Sequence, residues 1–266
     1  MRIITDIDWV QKLKDPIGKR TYKPRNTGIT MVIDKGMGLL AFEDLLNTTS
    51  EYIDIIKLGF GTSPLYPKQV LENKIGLAKK HNITITPGGT FLEVAISQNC
   101  VNSYFKMIKS LGFNGIEVSD GTIELSRQFR DDLIKFGLEE GLNVFTEYGK
   151  KIKGAKINFN ELIHTVHQDI EKGASLVTIE GRESGVEVGI FDEHGECDKD
   201  DIFQIINSVS QPEKIMWEAP LKSQQILFIN NLGPKVNLGN ISPGEVFALE
   251  SIRRGLRSDT FHLANK

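Results

Sequence analysis

Short apolar runs recur along the chain roughly every 25 to 35 residues, and the stretches between them carry apolar residues at helical spacing. The runs fall at 28–33, 52–58, 83–86, 115–118, 142–146, 176–179, 215–217 and 236–238. Each is nearly continuous rather than alternating, which suits parallel strands buried on both faces. The intervening stretches read as crossover helices. One is predicted over 67–80, with Pro67 near its first turn and Val70, Leu71, Ile75 and Ala78 forming an apolar stripe. Others are predicted over 122–140 and 159–172, followed by Gly141 and Gly173 as helix stops. The last is predicted to open at Ser242-Pro243-Gly244-Glu245, which has the form of a capping box, and to run through Val246, Leu249 and Ile252.

Eight such units without a linker or a shift in composition predict an α/β chain closed into a (β/α)₈ TIM barrel. An open doubly wound sheet is the alternative. The barrel domain is expected over 27–266, behind a short N-terminal extension, 1–26, to which no chemistry is assigned. The length of 266 residues is typical for one barrel. A net charge of −3 gives no general pull toward nucleic acid or a membrane surface. No apolar run approaches the roughly 20 residues that span a bilayer, and no signal-peptide core precedes residue 14, so a cytoplasmic protein is expected. Cys100 and Cys197 lack metal-ligand spacing and read as reduced thiols. The five histidines do not cluster, and Trp217, inside a strand, reads as packing.

Chemistry collects where the runs end, which in a barrel is the mouth. In chain order the ends supply Asp34, Lys57, the Pro87-Gly88-Gly89-Thr90 turn, Glu117, then Glu147 with Lys150 and Lys151. Glu180 with Arg182 and Ser184, then Glu218, then Gly239 and Asn240 complete the circuit. A carboxylate at the end of a buried strand is costly unless it is paired or bound to a metal. A single one would pass as an ion pair; five strands ending in Asp or Glu, interleaved with Lys and Arg, point to a site. Glu117, Glu147 and Glu180, from neighbouring strands, are the candidate ligands for Mg²⁺, which favours hard oxygen donors. Lys57 and Arg182 suit a substrate bearing carboxylate and phosphate. Asp34, Ser184, Gly239 and Asn240 are further candidates for substrate contact.

The ordered phrases Ile33-Asp34-Lys35-Gly36, Ile56-Lys57-Leu58-Gly59-Phe60-Gly61-Thr62-Ser63, Glu117-Val118-Ser119-Asp120-Gly121 and Thr146-Glu147-Tyr148-Gly149-Lys150-Lys151 carry a family resemblance. So do Ile179-Glu180-Gly181-Arg182-Glu183-Ser184-Gly185, Glu218-Ala219-Pro220-Leu221-Lys222-Ser223-Gln224-Gln225 and Asn237-Leu238-Gly239-Asn240-Ile241. From about residue 28 onward the chain resembles the phosphosulfolactate synthases. The resemblance implies a Mg²⁺-dependent enzyme that adds sulfite to phosphoenolpyruvate, giving 2-phospho-3-sulfolactate. It also implies that Lys150 is the general acid that protonates C2, with Lys57 and Arg182 holding the substrate. Small-molecule substrates and a homo-oligomer are expected, with neither nucleic acid nor membrane as partner. Two other readings compete. Lys57 on a buried strand resembles the lysine of a Schiff-base aldolase, and the family also resembles a plant heat-stress-associated protein, for which a non-catalytic role is plausible.

Overall fold

A computed structural model of the chain describes residues 9–152 and 154–265. Every predicted run carries a strand: β1 Thr30–Asp34, β2 Ile55–Leu58, β3 Thr84–Thr86, β4 Gly115–Val118, β5 Asn143–Tyr148, β6 Leu176–Ile179, β7 Ile215–Glu218 and β8 Asn237–Ile241. All pairings are parallel, in the order β3-β2-β1-β8-β7-β6-β5-β4. The helices are α1 Gln11–Lys14, α2 Leu39–Thr49, α3 Lys68–Lys80, α4 Gly89–Ser97, α5 Val101–Leu111, α6 Arg127–Glu139, α7 Phe159–Glu171, α8 Lys199–Ser208, α9 Lys222–Leu232 and α10 Val246–Arg254. Strands alternating with helices around a nearly closed sheet form the TIM barrel that the periodicity predicts.

The ring closes between its two outermost strands through a side chain. Asn114, just before β4, accepts the Ile85 N–H at 2.7 Å and donates to the Ile83 carbonyl at 3.4 Å. Close approach there needs a glycine: a Cβ at Gly115 would stand 2.6 Å from Thr84 Cγ2.

Alternation along each strand explains where the chemistry lies. One set of positions faces the helices in a continuous apolar core, as with Val32, Ile56, Ile116, Val144, Val177 and Leu238. Trp217 is in this set and packs on Phe228, with ring centroids 4.8 Å apart. The other set faces inward. Lower in the barrel it is a separate apolar cluster of Ile29, Met31, Ile55, Phe145, Leu176 and Met216. Two residues further on, the same parity delivers Lys57 after Ile55, Glu147 after Phe145 and Glu218 after Met216. The apolar plug therefore forms the floor beneath a charged layer.

Two helix starts differ from expectation. α6 begins at Arg127, not at 122, because Ser126 caps it by accepting the Phe129 N–H at 3.3 Å. Ser242 makes no side-chain cap; Pro243–Glu245 is a 3-10 turn, and α10 follows from Val246. A tight turn of this kind is common ahead of an α-helix. Among the described residues no helix is long and apolar enough to cross a membrane. The stretch 20–25 packs under the N-terminal end of the barrel, where Arg25 bonds Asp54 and Lys23 bonds the carbonyls of Ser50, Ile53 and His81.

Candidate active site

At the C-terminal ends of the strands lies a cavity of about 380 Å³, lined in part by Lys57, Glu117, Glu147, Lys151, Glu180, Arg182, Glu218 and Asn240. Lys57 is the hub. Its ammonium lies 2.8 Å from Glu218, 3.3 Å from Glu117 and 3.4 Å from Glu147. Burial works against its charge, but Glu117, Glu218, Glu147 and Glu180 outweigh burial and hold its pKa well above the ordinary lysine value.

Backbone donors orient the carboxylates. The Gly89 N–H at the start of α4 donates to Glu117 at 2.7 Å. Gly181 and Arg182 N–H groups each donate to Glu218 Oε2 at 2.9 Å, and Arg182 N–H also donates to Glu180 Oε1 at 2.7 Å. Beneath Glu147, the buried Arg130 guanidinium donates to its carbonyl at 3.0 Å while forming an ion pair with Asp169.

Negative charge exceeds its internal compensation. Five buried glutamates, at 93, 117, 147, 180 and 218, surround two ammonium groups, those of Lys57 and Lys151. Glu180 bears the consequence: burial, then the neighbouring Glu147 and Glu218, push its carboxyl well above the ordinary range. No N–H group reaches its buried Oε2, and the carboxyl's side-chain hydrogen bonds run to Glu147 and Glu218. Burial also raises Glu117, with Lys57 opposing it. For Glu147 burial is overcome by Lys151 and Lys57, which hold that carboxyl low.

Glu147, Glu180 and Glu218 each offer an oxygen within 4.8 Å of the others. Two of the three candidate metal residues, Glu147 and Glu180, thus fall in this triad with Glu218, while Glu117 lies against Lys57 and the α4 N-terminus. A buried triad with one oxygen that no N–H group reaches fits a hard divalent cation.

The two adjacent lysines separate. Lys150 points away from the cavity, donating to the carbonyls of Asp120 and Ile123 and pairing with the exposed Glu124 at 2.9 Å. Lys151 points in. Its ammonium is 2.8 Å from Glu147, 3.1 Å from Thr90 Oγ1, 3.3 Å from Glu93 and 3.4 Å from Ser119 Oγ. Glu93, buried on α4, had no strand-end signal in the sequence, yet it also binds the Ser119 hydroxyl and accepts the Thr122 N–H.

Arg182 reaches across the mouth, donating to the Lys151 carbonyl at 3.3 Å, and Asn240 lies beside it. The remaining candidates lie outside the cavity lining. Asp34 is buried against Lys74, Tyr66 and the N–H groups of Gly36 and Met37. Ser184 is exposed and bonded to Val186. Gly239 packs in the barrel interior, where a Cβ would lie 2.7 Å from Met31 Cε.

Comparison with known proteins gives this arrangement a context. The family model for (2R)-phospho-3-sulfolactate synthase (ComA) matches residues 18–259, a span that takes in part of the N-terminal extension. Phosphosulfolactate synthase of Methanothermobacter thermautotrophicus is 42% identical over 248 residues, covering 92% of this chain and 96% of that protein. Protein HEAT-STRESS-ASSOCIATED 32 of Arabidopsis thaliana is 20% identical, with 88% of each chain covered. Among solved structures, type I 3-dehydroquinate dehydratase from Clostridium difficile superposes with a TM-score of 0.53 at 14% identity, covering 87% of this chain and 94% of that one, a likeness of fold alone.

Proposed function

The chain belongs to the (2R)-phospho-3-sulfolactate synthase family of enzymes, and on that premise we propose that its barrel mouth adds sulfite to phosphoenolpyruvate. The observation that carries this reading is the pairing of a buried carboxylate triad with an inward ammonium, Lys151, beside one cavity. A cavity of about 380 Å³ lies within the usual range of about 300–1,000 Å³ for small-molecule sites.

In this mechanism the sulfite sulfur lone pair forms a bond to C3. The C2–C3 π electrons move toward C2 and the adjoining carboxylate as an enediolate. Glu147, Glu180 and Glu218 are the residues to hold a divalent cation, Mg²⁺ being the expected one, which supplies Lewis-acid stabilisation for the developing charge. Arg182 and the N-terminal turn of α4 offer donors to the substrate's anionic groups. Lys151 then transfers a proton to C2, giving 2-phospho-3-sulfolactate, and recovers a proton from solvent. This assigns to Lys151 the role expected of Lys150, because only Lys151 lines the cavity. Its ammonium form is secured by Glu147, Glu180 and Glu93, which outweigh burial and raise its pKa.

The same charges argue against a Schiff-base aldolase. A nucleophilic lysine needs a lowered pKa, whereas Lys57 is clamped by three carboxylates and raised. A purely protective role leaves the excess of buried carboxylates without a purpose. Purified protein incubated with Mg²⁺, sulfite and phosphoenolpyruvate is expected to yield a new phosphate monoester signal by ³¹P NMR. Absence of that product with Mg²⁺, Mn²⁺ and Co²⁺ alike sinks the proposal.

A further inference from the structure

Asn240 is a neutral side chain in a charged cavity, and its conformation is unusual. It sits on β8 with φ 54°, in the left-handed region, and is only 4% exposed. A buried residue other than glycine with positive φ needs its surroundings to hold it there, and such residues cluster at functional sites. Here the restraint is visible: Asn240 Nδ2 donates to the Arg182 carbonyl at 3.2 Å, and Arg182 itself has φ 56°. That bond fixes which way the amide faces. Asn240 Oδ1 is therefore the free end, buried and without a partner, on a residue that lines the cavity.

A buried, unmet acceptor requires a donor or a Lewis acid. No internal cation meets it: Lys57 and Lys151 pair with their glutamates, Arg182 Nη1 bonds the Lys151 carbonyl, and no donor reaches Asn240 Oδ1. Phosphoenolpyruvate and the sulfite dianion present only acceptor oxygens. A hydrated divalent cation, in contrast, supplies both a Lewis acid and water protons. The Arg182 backbone links the two oxygens, because its N–H positions Glu180 and Glu218 while its carbonyl positions Asn240.

Building on the cation reading above, we infer that Asn240 Oδ1 serves the divalent cation held by Glu147, Glu180 and Glu218, as a ligand or as acceptor for one of its waters. The test is Mn²⁺ titration of EDTA-treated, full-length protein, with free Mn²⁺ followed by electron paramagnetic resonance. Asn240→Leu is expected to weaken Mn²⁺ binding about tenfold or more. Asn240→Asp is expected to stay within a few-fold of the parent, because it keeps an oxygen while losing the donor to Arg182. Equal affinity in Asn240→Leu and the parent overturns the inference, and a raised sulfite KM in that case assigns Oδ1 to a protonated nucleophile. Equal weakening of both variants also overturns it, since only the bond to Arg182 would then matter. A parent protein that binds no Mn²⁺ sinks the cation reading together with this one, a result distinct from the other two.

Discussion

The two ends of the barrel are both dense in buried charge, yet they treat it in opposite ways. At the N-terminal end the buried cations are bonded within the fold, although Arg20 Nη2 and Arg253 Nε are left without a partner. Arg20 shares its Nε–H between both oxygens of Glu250, which also binds Arg254, and Arg25 does the same with Asp54. Arg253, fully buried, donates to the carbonyls of Pro234, Val236 and Ile29. At the C-terminal end the carboxylates outnumber the ammonium groups, and oxygens of Glu180 and Asn240 are left without an N–H donor. Cavity size does not separate the ends, because the lower cavity is the larger, about 640 Å³ against 380 Å³. The excess of buried carboxylate does. Satisfied charge holds a fold together, whereas frustrated charge is what a ligand can relieve.

The sharpest way to break this contrast is at the two lysines after β5. Lys151→Met is expected to lower kcat on the order of 10³-fold, the middle of the range for a lost general acid. Lys150→Met, whose partners lie outside the cavity, is expected to stay within a few-fold. Steady-state kinetics on both variants decides the matter. The reverse result, loss with Lys150 and not with Lys151, removes Lys151 from the proposed mechanism.

The lower end is broken instead through stability. Arg253→Met removes the donor to the Pro234 and Val236 carbonyls, while Ile29 keeps the Leu238 N–H, and is expected to destabilise the fold by about 3 kcal/mol, with kcat per folded molecule unchanged. Urea unfolding and active-site normalised kinetics read the two quantities separately. A variant as stable as the parent refutes the view that this end is structural.

How much of this was legible beforehand depends on periodicity. All eight strands overlap the predicted runs because burial on both faces leaves a continuous apolar signature. The charged residues at their ends marked the mouth for the same reason. Lys151 was also within reach: counting by twos from inward-facing Glu147 passes through Gly149 to Lys151, leaving Lys150 with outward-facing Tyr148. Glu93 was not, since it arrives from a helix packed over the mouth, and no local pattern announces a contact 58 residues away in sequence. Asp34 misled because a strand-end carboxylate looks the same whether it faces a cavity or, as here, a buried lysine from α3. Asn240 drew notice only by position; its left-handed backbone and unpaired oxygen exist only in three dimensions.

The smallest expected effect tests the contrast through the sign of a pH dependence. Glu250 at the lower end is opposed by burial, but Arg20 and Arg254 prevail and hold its folded pKa below the ordinary value. Its ionisation therefore stabilises the fold above the unfolded pKa of about 4.3, and that contribution is lost as pH falls through the folded value. Glu250→Gln should thus lose about 1–2 kcal/mol at pH 7 relative to the parent, and the gap should narrow toward pH 3. Glu180 at the upper end is raised, first by burial and then by Glu147 and Glu218. The unfolded chain ionises this group before the folded one does, so in EDTA stability should decline as pH rises above about 4.3. Glu180→Gln should flatten that decline, making the cation-free variant at least as stable as the parent at pH 7 while its activity falls. Urea midpoints across pH 3–8 for the two variants give opposite trends if one end is built for the fold and the other for a ligand. Parallel trends would mean that both ends carry the same kind of charge.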